Sequence, residues 1–263
     1  QVSNLEGAAT TASVTDSLGR QRTITYRTTT VWFIFTSYSL IDDVRNITAY
    51  KTNYSWFGFG GPQLPGSVVQ RGSGGWDTAA ISAYANAEAV FDYYQTVLGL
   101  KSFDGKGAAV KVSLGYNPTS QFAALYNNAY WDPTIKQFVF GNGGNLGAAE
   151  DVVGHEYTHA VVSSILGSSA LGSGESGALN EAFSDILGSL IEDKTGSARW
   201  LIGEDSTFPG GAVRNLADPT SITTSYGAYR ANYANRYTGS GDDGGEHVEI
   251  GRASCRERVC STV

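Results

Sequence analysis

Methionine is missing from all 263 residues, position 1 included. No charged-then-apolar leader opens the chain either, so the sequence is expected to be a piece of a longer product, as a processed exported protein would be. Cysteine is nearly as scarce: Cys255 and Cys260 both stand at the extreme C-terminus. That end reads unlike the rest. Glu249 to Val259 is the in-frame translation of a string resembling a common sequencing adapter, so 250–263 is expected to be a non-native tail, with Glu249 itself doubtful. Setting the tail aside leaves no cysteine and therefore no disulfide argument. Apolar runs are short. The longest, Val31-Trp32-Phe33-Ile34-Phe35, has strand length and β-branched or aromatic character, which reads as a buried strand and excludes a membrane span. Basic residues are outnumbered, 18 Lys and Arg against 25 Asp and Glu for a net charge of −7. That balance lacks the basic face nucleic acid requires and suits a soluble monomer kept apart by its own charge. Histidine numbers only three.

Two of those three histidines fall in Gly154-His155-Glu156-Tyr157-Thr158-His159. At a helical step of about 100° per residue, positions four apart lie on one face, so His155 and His159 can reach a single ion. Glu156 lies on an adjacent face, near enough to take a proton from a water beside that ion and turned away from ligation itself. Neutral imidazoles leave the charge of a zinc ion uncompensated, which is what lets such a water ionise near neutral pH. A second constellation follows in Glu175-Ser176-Gly177-Ala178-Leu179-Asn180-Glu181-Ala182-Phe183-Ser184-Asp185, read as a second helix with Glu181 and Asp185 on one face. A catalytic zinc takes three protein ligands, and a carboxylate from a neighbouring helix is one way to complete them. Glu181 is the third candidate. Asp185, one turn on, is placed to accept the free ring N–H of His155 and fix its tautomer.

These two stretches, V-V-G-H-E-Y-T-H-A-V and E-S-G-A-L-N-E-A-F-S-D, resemble the thermolysin family of zinc endopeptidases, and the likeness runs from about Val14 to Val248. The resemblance implies a secreted enzyme that hydrolyses internal bonds of peptides or unfolded proteins. It gives Asn128 and Ala129, in Tyr126–Trp131, the task of binding the substrate main chain on an edge strand. Arg214 then binds a substrate carbonyl beside the scissile bond. His247 steadies the oxyanion, with Asp242 holding its other ring nitrogen. Val152, Ile202 and Val213 fall where the family builds the pocket for the residue after the scissile bond, and all three are apolar, so cleavage before a bulky apolar residue is expected.

Two departures qualify the likeness. No tyrosine lies between Ala160 and Asn180, where the family places one that donates to the tetrahedral intermediate, and Leu171-Gly172 stand in that neighbourhood instead. Tyr226 is one residue that could substitute. Asp151, Glu192 and Glu204 match acidic ligands of a paired calcium site, but Arg199 and Leu201 replace two further oxygen donors, so at most one calcium ion is expected. The alternative reading is a non-catalytic, zinc-stabilised peptide-binding relic of the same fold.

Read in order, the first part of the chain is Thr-, Ser-, Tyr- and Gly-rich with alternating segments, as short antiparallel strands would be. A long helix is expected over 78–98 behind Asp77, a strand over 108–114, and a hairpin from Tyr126–Trp131 and Phe138–Gly141. The central helix is expected over 149–166, stopped by Gly167, and mainly helical sequence follows. The expected class is α+β, with a β-rich half, 1–148, a helical half, 149–249, whose family counterparts continue into a further helical subdomain, and the zinc site in the cleft between the halves.

Overall fold

A computed structural model of the chain describes residues 5–6, 9–32, 35–55, 57, 59–168 and 171–253. Cys255, Cys260 and most of the expected tail lie outside them.

Two sheets fill the first half. In one, the long strand β3 (Gln21–Val31) pairs antiparallel with β1 (Leu5–Glu6), β2 (Thr10–Thr15) and β4 (Phe35–Ser39). In the other, the order is β5 (Ile41–Asp42), β6 (Ile47–Tyr54), β8 (Val110–Tyr116), β10 (Gln137–Gly141) and β9 (Ala129–Asp132), with β7 (Pro62–Val68) also on β6. β6, β8 and β10 run parallel to one another, while β9 returns antiparallel to β10 and forms the edge. As an inner strand β10 is buried along its length apart from Gly141, and it lacks the alternation of a half-exposed strand.

The expected buried strand over Val31–Phe35 is not there. Val31 lies opposite Phe35 across a hairpin, so the apolar run spans a chain reversal. Trp32 is 74% exposed and Phe35 70%; Phe33 and Ile34 lie outside the described residues. Helix packing explains why burial fails here. The helix α1 (Thr78–Val97) covers the other part of β3, where Tyr84 Oη donates to the Thr25 carbonyl and Thr25 N donates to Glu88 Oε1. Trp32 and Phe35 have no such cover.

α1 begins where the sequence places it, with Asp77 accepting from Ala79 N and Ala80 N. Its alanines let a second layer approach closely: a side chain at Gly147 would stand 2.6 Å from Ala83 Cβ. That layer is α2 (Glu150–Leu166), stopped at Gly167, followed by α3 (Gly174–Glu192). α2 and α3 cross at a pair of glycines. A Cβ on Gly154 would meet Gly188 Cα at 3.1 Å, and one on Gly188 would meet the Asp151 carbonyl at 2.4 Å. The crossing brings the helices nearer than side chains ordinarily permit. Beyond α3 come the short strands β11 (Leu201–Ile202) and β12 (Arg214–Asn215), a turn α4 (Asp242–Gly245) and α5 (Ile250–Ala253). Ile250 is buried against Ala182 and Tyr229. The β-rich first half and helical second half match the expected class. Among the described residues, no helix is long and apolar enough to cross a membrane.

Candidate metal centre

The five residues of the H-E-Y-T-H stretch divide between two environments. Tyr157 faces the core, stacked on Phe138 at 5.6 Å between ring centroids and tilted against Tyr94 at 4.9 Å. Thr158 exchanges a 2.7 Å hydrogen bond with Tyr94 Oη. His155, Glu156 and His159 face the other way, into a cleft of about 380 Å³. The two intervening residues thus anchor α2 so that its chelating face is fixed in rotation.

His155 Nε2 and His159 Nε2 lie 2.9 Å apart. Glu181, carried on α3 across the glycine crossing, brings its carboxylate to 3.3 Å from His155 Nε2 and 3.0 Å from His159 Nε2. The remaining ring nitrogens are held from behind. His155 Nδ1 meets Asp185 Oδ1 at 2.8 Å, and His159 Nδ1 meets Ser184 Oγ at 3.2 Å. Glu181 Oε2 is buried with no hydrogen-bond partner. A set of two imidazole nitrogens and one carboxylate, backed by oxygen partners and leaving a buried carboxylate oxygen unmatched, fits a zinc ion.

Electrostatics agree with that donor set. Burial favours a neutral His155 ring, but the Glu181 charge and the hydrogen bond that His155 makes to Asp185 outweigh it and hold the pKa up at about 10. The proton kept there is the one a metal ion displaces. Burial works against the charge on Glu181 as well, and the two histidines reverse this and hold its carboxyl well below the usual range. Asp185 is likewise lowered, against burial, by the Arg214 charge and by His155.

Glu156 does not join the three. Its Oε2 accepts from the Trp131 backbone N at 2.9 Å, which ties the free carboxylate to the edge strand β9. Asn128, Ala129, Val152, Ile202, Val213 and Arg214 all line the same cleft, together with Leu146 and His247. Arg214 is buried and grips Asp185 through Nε at 2.7 Å and Nη2 at 2.6 Å. His247 Nδ1 meets Asp242 Oδ1 at 2.7 Å, and its Nε2 reaches to 3.8 Å from Glu181 Oε2. Asp242 also accepts from the backbone N of His247 and Val248, which fixes the turn. All three histidines therefore border one cavity.

Several contacts are not legible in sequence. Ser184 behind His159, the Trp131 amide on Glu156 and the fork from Arg214 to Asp185 join residues distant in the chain, and no local pattern marks them. Glu246 also lines the cleft; burial and then the neighbouring acidic charges, against His247, push its carboxyl up to about 7. Leu171 and Gly172 line the cleft where a tyrosine is lacking. Tyr226 lies in an adjoining cavity beside Asp242 and His247. Asp151, Glu192 and Glu204 form a separate cluster with oxygens within 4.8 Å of one another.

Edge strand, paired helices and convergent His-His-Glu donors beside a carboxylate outside that set form a candidate metal centre. The family model described as thermolysin metallopeptidase, catalytic domain, matches residues 11–163, and that described as thermolysin metallopeptidase, alpha-helical domain, matches 172–254. The chain belongs to the thermolysin metallopeptidase family. It is 36% identical over 258 residues to the thermostable neutral protease NprT of Geobacillus stearothermophilus, covering 93% of this chain and 43% of that protein. It is 39% identical over 201 residues to a thermolysin of Alicyclobacillus acidocaldarius, covering 72% and 34%. Among solved structures, the precursor of protealysin, a metalloproteinase from Serratia proteamaculans, matches with a TM-score of 0.62 at 28% identity, covering 78% of this chain and 65% of that one. The chain thus spans between 34% and 43% of the length of these curated relatives.

Proposed function

We propose that the chain is the catalytic part of a secreted zinc endopeptidase acting on peptides and unfolded proteins. The observation that carries this reading is the convergence of His155, His159 and Glu181 with Glu156 standing free beside them. Those three residues would hold the zinc, which when bound supplies Lewis acidity to a carbonyl and lowers the pKa of water. Glu156 takes the proton from the attacking water and passes it to the leaving amine, so the proton returns to the product within one turnover. The Trp131 amide holds the carboxylate in position for both transfers. An extended peptide lies along β9, with the Asn128 side chain and the Ala129 backbone receiving its main chain. His247, oriented by Asp242, donates to the developing oxyanion, and Arg214, braced on Asp185, holds the neighbouring carbonyl. Leu146, Val152, Ile202 and Val213 offer an apolar pocket and support a preference for a bulky apolar residue after the scissile bond.

Glu156→Gln provides the test. It should retain one zinc per chain by elemental analysis while cleavage of an unfolded protein substrate falls to background. Retained cleavage would sink the assignment of Glu156. Zinc bound by the unaltered chain without turnover would favour a peptide-binding relic.

A further inference from the structure

The acidic cluster away from the metal centre already contains a cation. α3 ends at Glu192, and Asp193 adopts a left-handed conformation at φ 53° that turns the chain back on itself. Lys194 is thereby directed across the helix end. Its Nζ lies 3.1 Å from Glu192 Oε1, 2.6 Å from Glu204 Oε1 and 3.0 Å from Asp205 Oδ1. The ammonium donates to Glu204 Oε1 and lies within ion-pair distance of Glu192 and Asp205, while Glu192 Oε1 and Glu204 Oε2 are buried without a hydrogen-bond partner. Glu204 and Asp205 sit in the turn after β11, whose Gly203 N donates to Asp151 Oδ2 at 2.7 Å. The cluster thus joins the start of α2, the end of α3 and the turn carrying Ile202 toward the cleft. Arg20, from the turn between β2 and β3, adds a second contact to Asp205 at 3.0 Å.

A pair of calcium ions does not fit these residues. Each ion needs six to eight oxygens at 2.3–2.6 Å, and three of the available carboxylates are already engaged by Lys194. Arg199 stays out: its guanidinium lies over the Trp200 ring, 5.1 Å from the centroid. The sequence marks Arg199 as the intruding charge, whereas the structure gives that place to Lys194.

We propose that the Lys194 ammonium is a built-in substitute for a divalent cation in this pocket, holding α2, α3 and the Gly203–Asp205 turn together. Without it, Glu192 and Glu204 would face each other with no cation between them, Asp205 keeping only Arg20, and the junction would come to depend on an added cation. The inference concerns cohesion and stands apart from whether the chain cleaves peptides.

The experiment compares thermal unfolding midpoints of the zinc-loaded chain, Lys194→Gln and Lys194→Arg, each in calcium-free buffer and in millimolar calcium chloride. Lys194→Gln should unfold roughly 5 °C or more below the unaltered chain without calcium. Calcium should restore most of that loss, a larger gain than it gives the unaltered chain, while Lys194→Arg should stay close to the latter. An equal calcium response in Lys194→Gln and the unaltered chain, or no loss in Lys194→Gln, overturns the proposal. Should Lys194→Gln fail to fold without calcium, its refolding yield replaces the midpoint: recovery with calcium supports the substitution, and no recovery overturns it. A calorimetric titration of the unaltered chain adds an independent limit, because uptake of two calcium ions, or of one that Glu192→Gln abolishes, overturns the proposal whatever the Lys194 variants do.

Discussion

Asp185 answers to two residues at once. Its Oδ1 meets His155 Nδ1, and both its oxygens receive Arg214. Removing the charge while keeping the shape separates these roles from packing. Asp185→Asn presents an amide N–H to donors that need an acceptor, so we expect zinc affinity to fall about 10–100-fold. Competition against a chelating dye would read that change directly. An unchanged affinity would mean that packing alone orients His155. Sequence spacing brings Asp185 to the histidine side of α3, but it does not reveal Arg214, 29 residues later, as the second partner. Helical period is a local property, and this ion pair depends on the path of the intervening loops.

At the scale of elements, the site depends on how closely α2 and α3 approach. Gly188 stands in mid-helix, where alanine would ordinarily stabilise by about 1 kcal/mol. Here the added methyl would press on the Asp151 carbonyl at 2.4 Å. Gly188→Ala should therefore destabilise the chain by roughly 1–3 kcal/mol, and it should weaken zinc binding too, because Glu181 would move away from both histidines. Denaturant midpoints and zinc titrations of the same preparation test the two effects together, and a stabilised variant would contradict the close crossing. The helices themselves were readable: Asp77 caps α1, Gly167 stops α2, and the apolar spacing of both gives their lengths to within a residue or two. Strand order was not. β6, β8 and β10 are parallel and non-consecutive, and period-two alternation carries no information about which strand lies beside which. Val31–Phe35 misleads for a related reason, since five apolar residues suit an inner strand or an uncovered hairpin tip equally well. The metal-binding half of the site was legible because it sits on two helices with fixed spacing. Lys194 and Glu246 were not, because turns set their direction.

Across the whole molecule, one buried carboxyl links stability to pH. Glu88 lies between α1 and β3, where burial raises its pKa to about 8, opposed by the Thr25 amide and then Arg45. A folded value above the unfolded one means that stability is fully present below about pH 4.5 and is lost as pH rises toward 8. Glu88→Gln can still accept from Thr25 N and does not titrate. Its stability should match that of the unaltered chain near pH 4 and exceed it at pH 9 by on the order of 1–3 kcal/mol. Urea unfolding at the two pH values would show this, and parallel profiles would refute it. The outer surface has a different character. Leu179, Phe183 and Leu190 on α3, and Ile165 and Leu166 at the end of α2, are each 40% exposed or more, an apolar area of the kind that serves as an association surface.

β9 is an edge strand of its sheet. The edge proposed to receive substrate can equally recruit a neighbouring sheet, the usual route to aggregation. Its length limits this hazard: four residues run from Ala129 to Asp132, and Asp132 then folds the chain away by accepting from Thr134 N and Ile135 N. So short a template rewards a loose, flexible segment that can lie down on it and gives little purchase to the stiff rim of an intact sheet. In the proposed function, the strand's brevity would favour unfolded chains over folded ones as substrates.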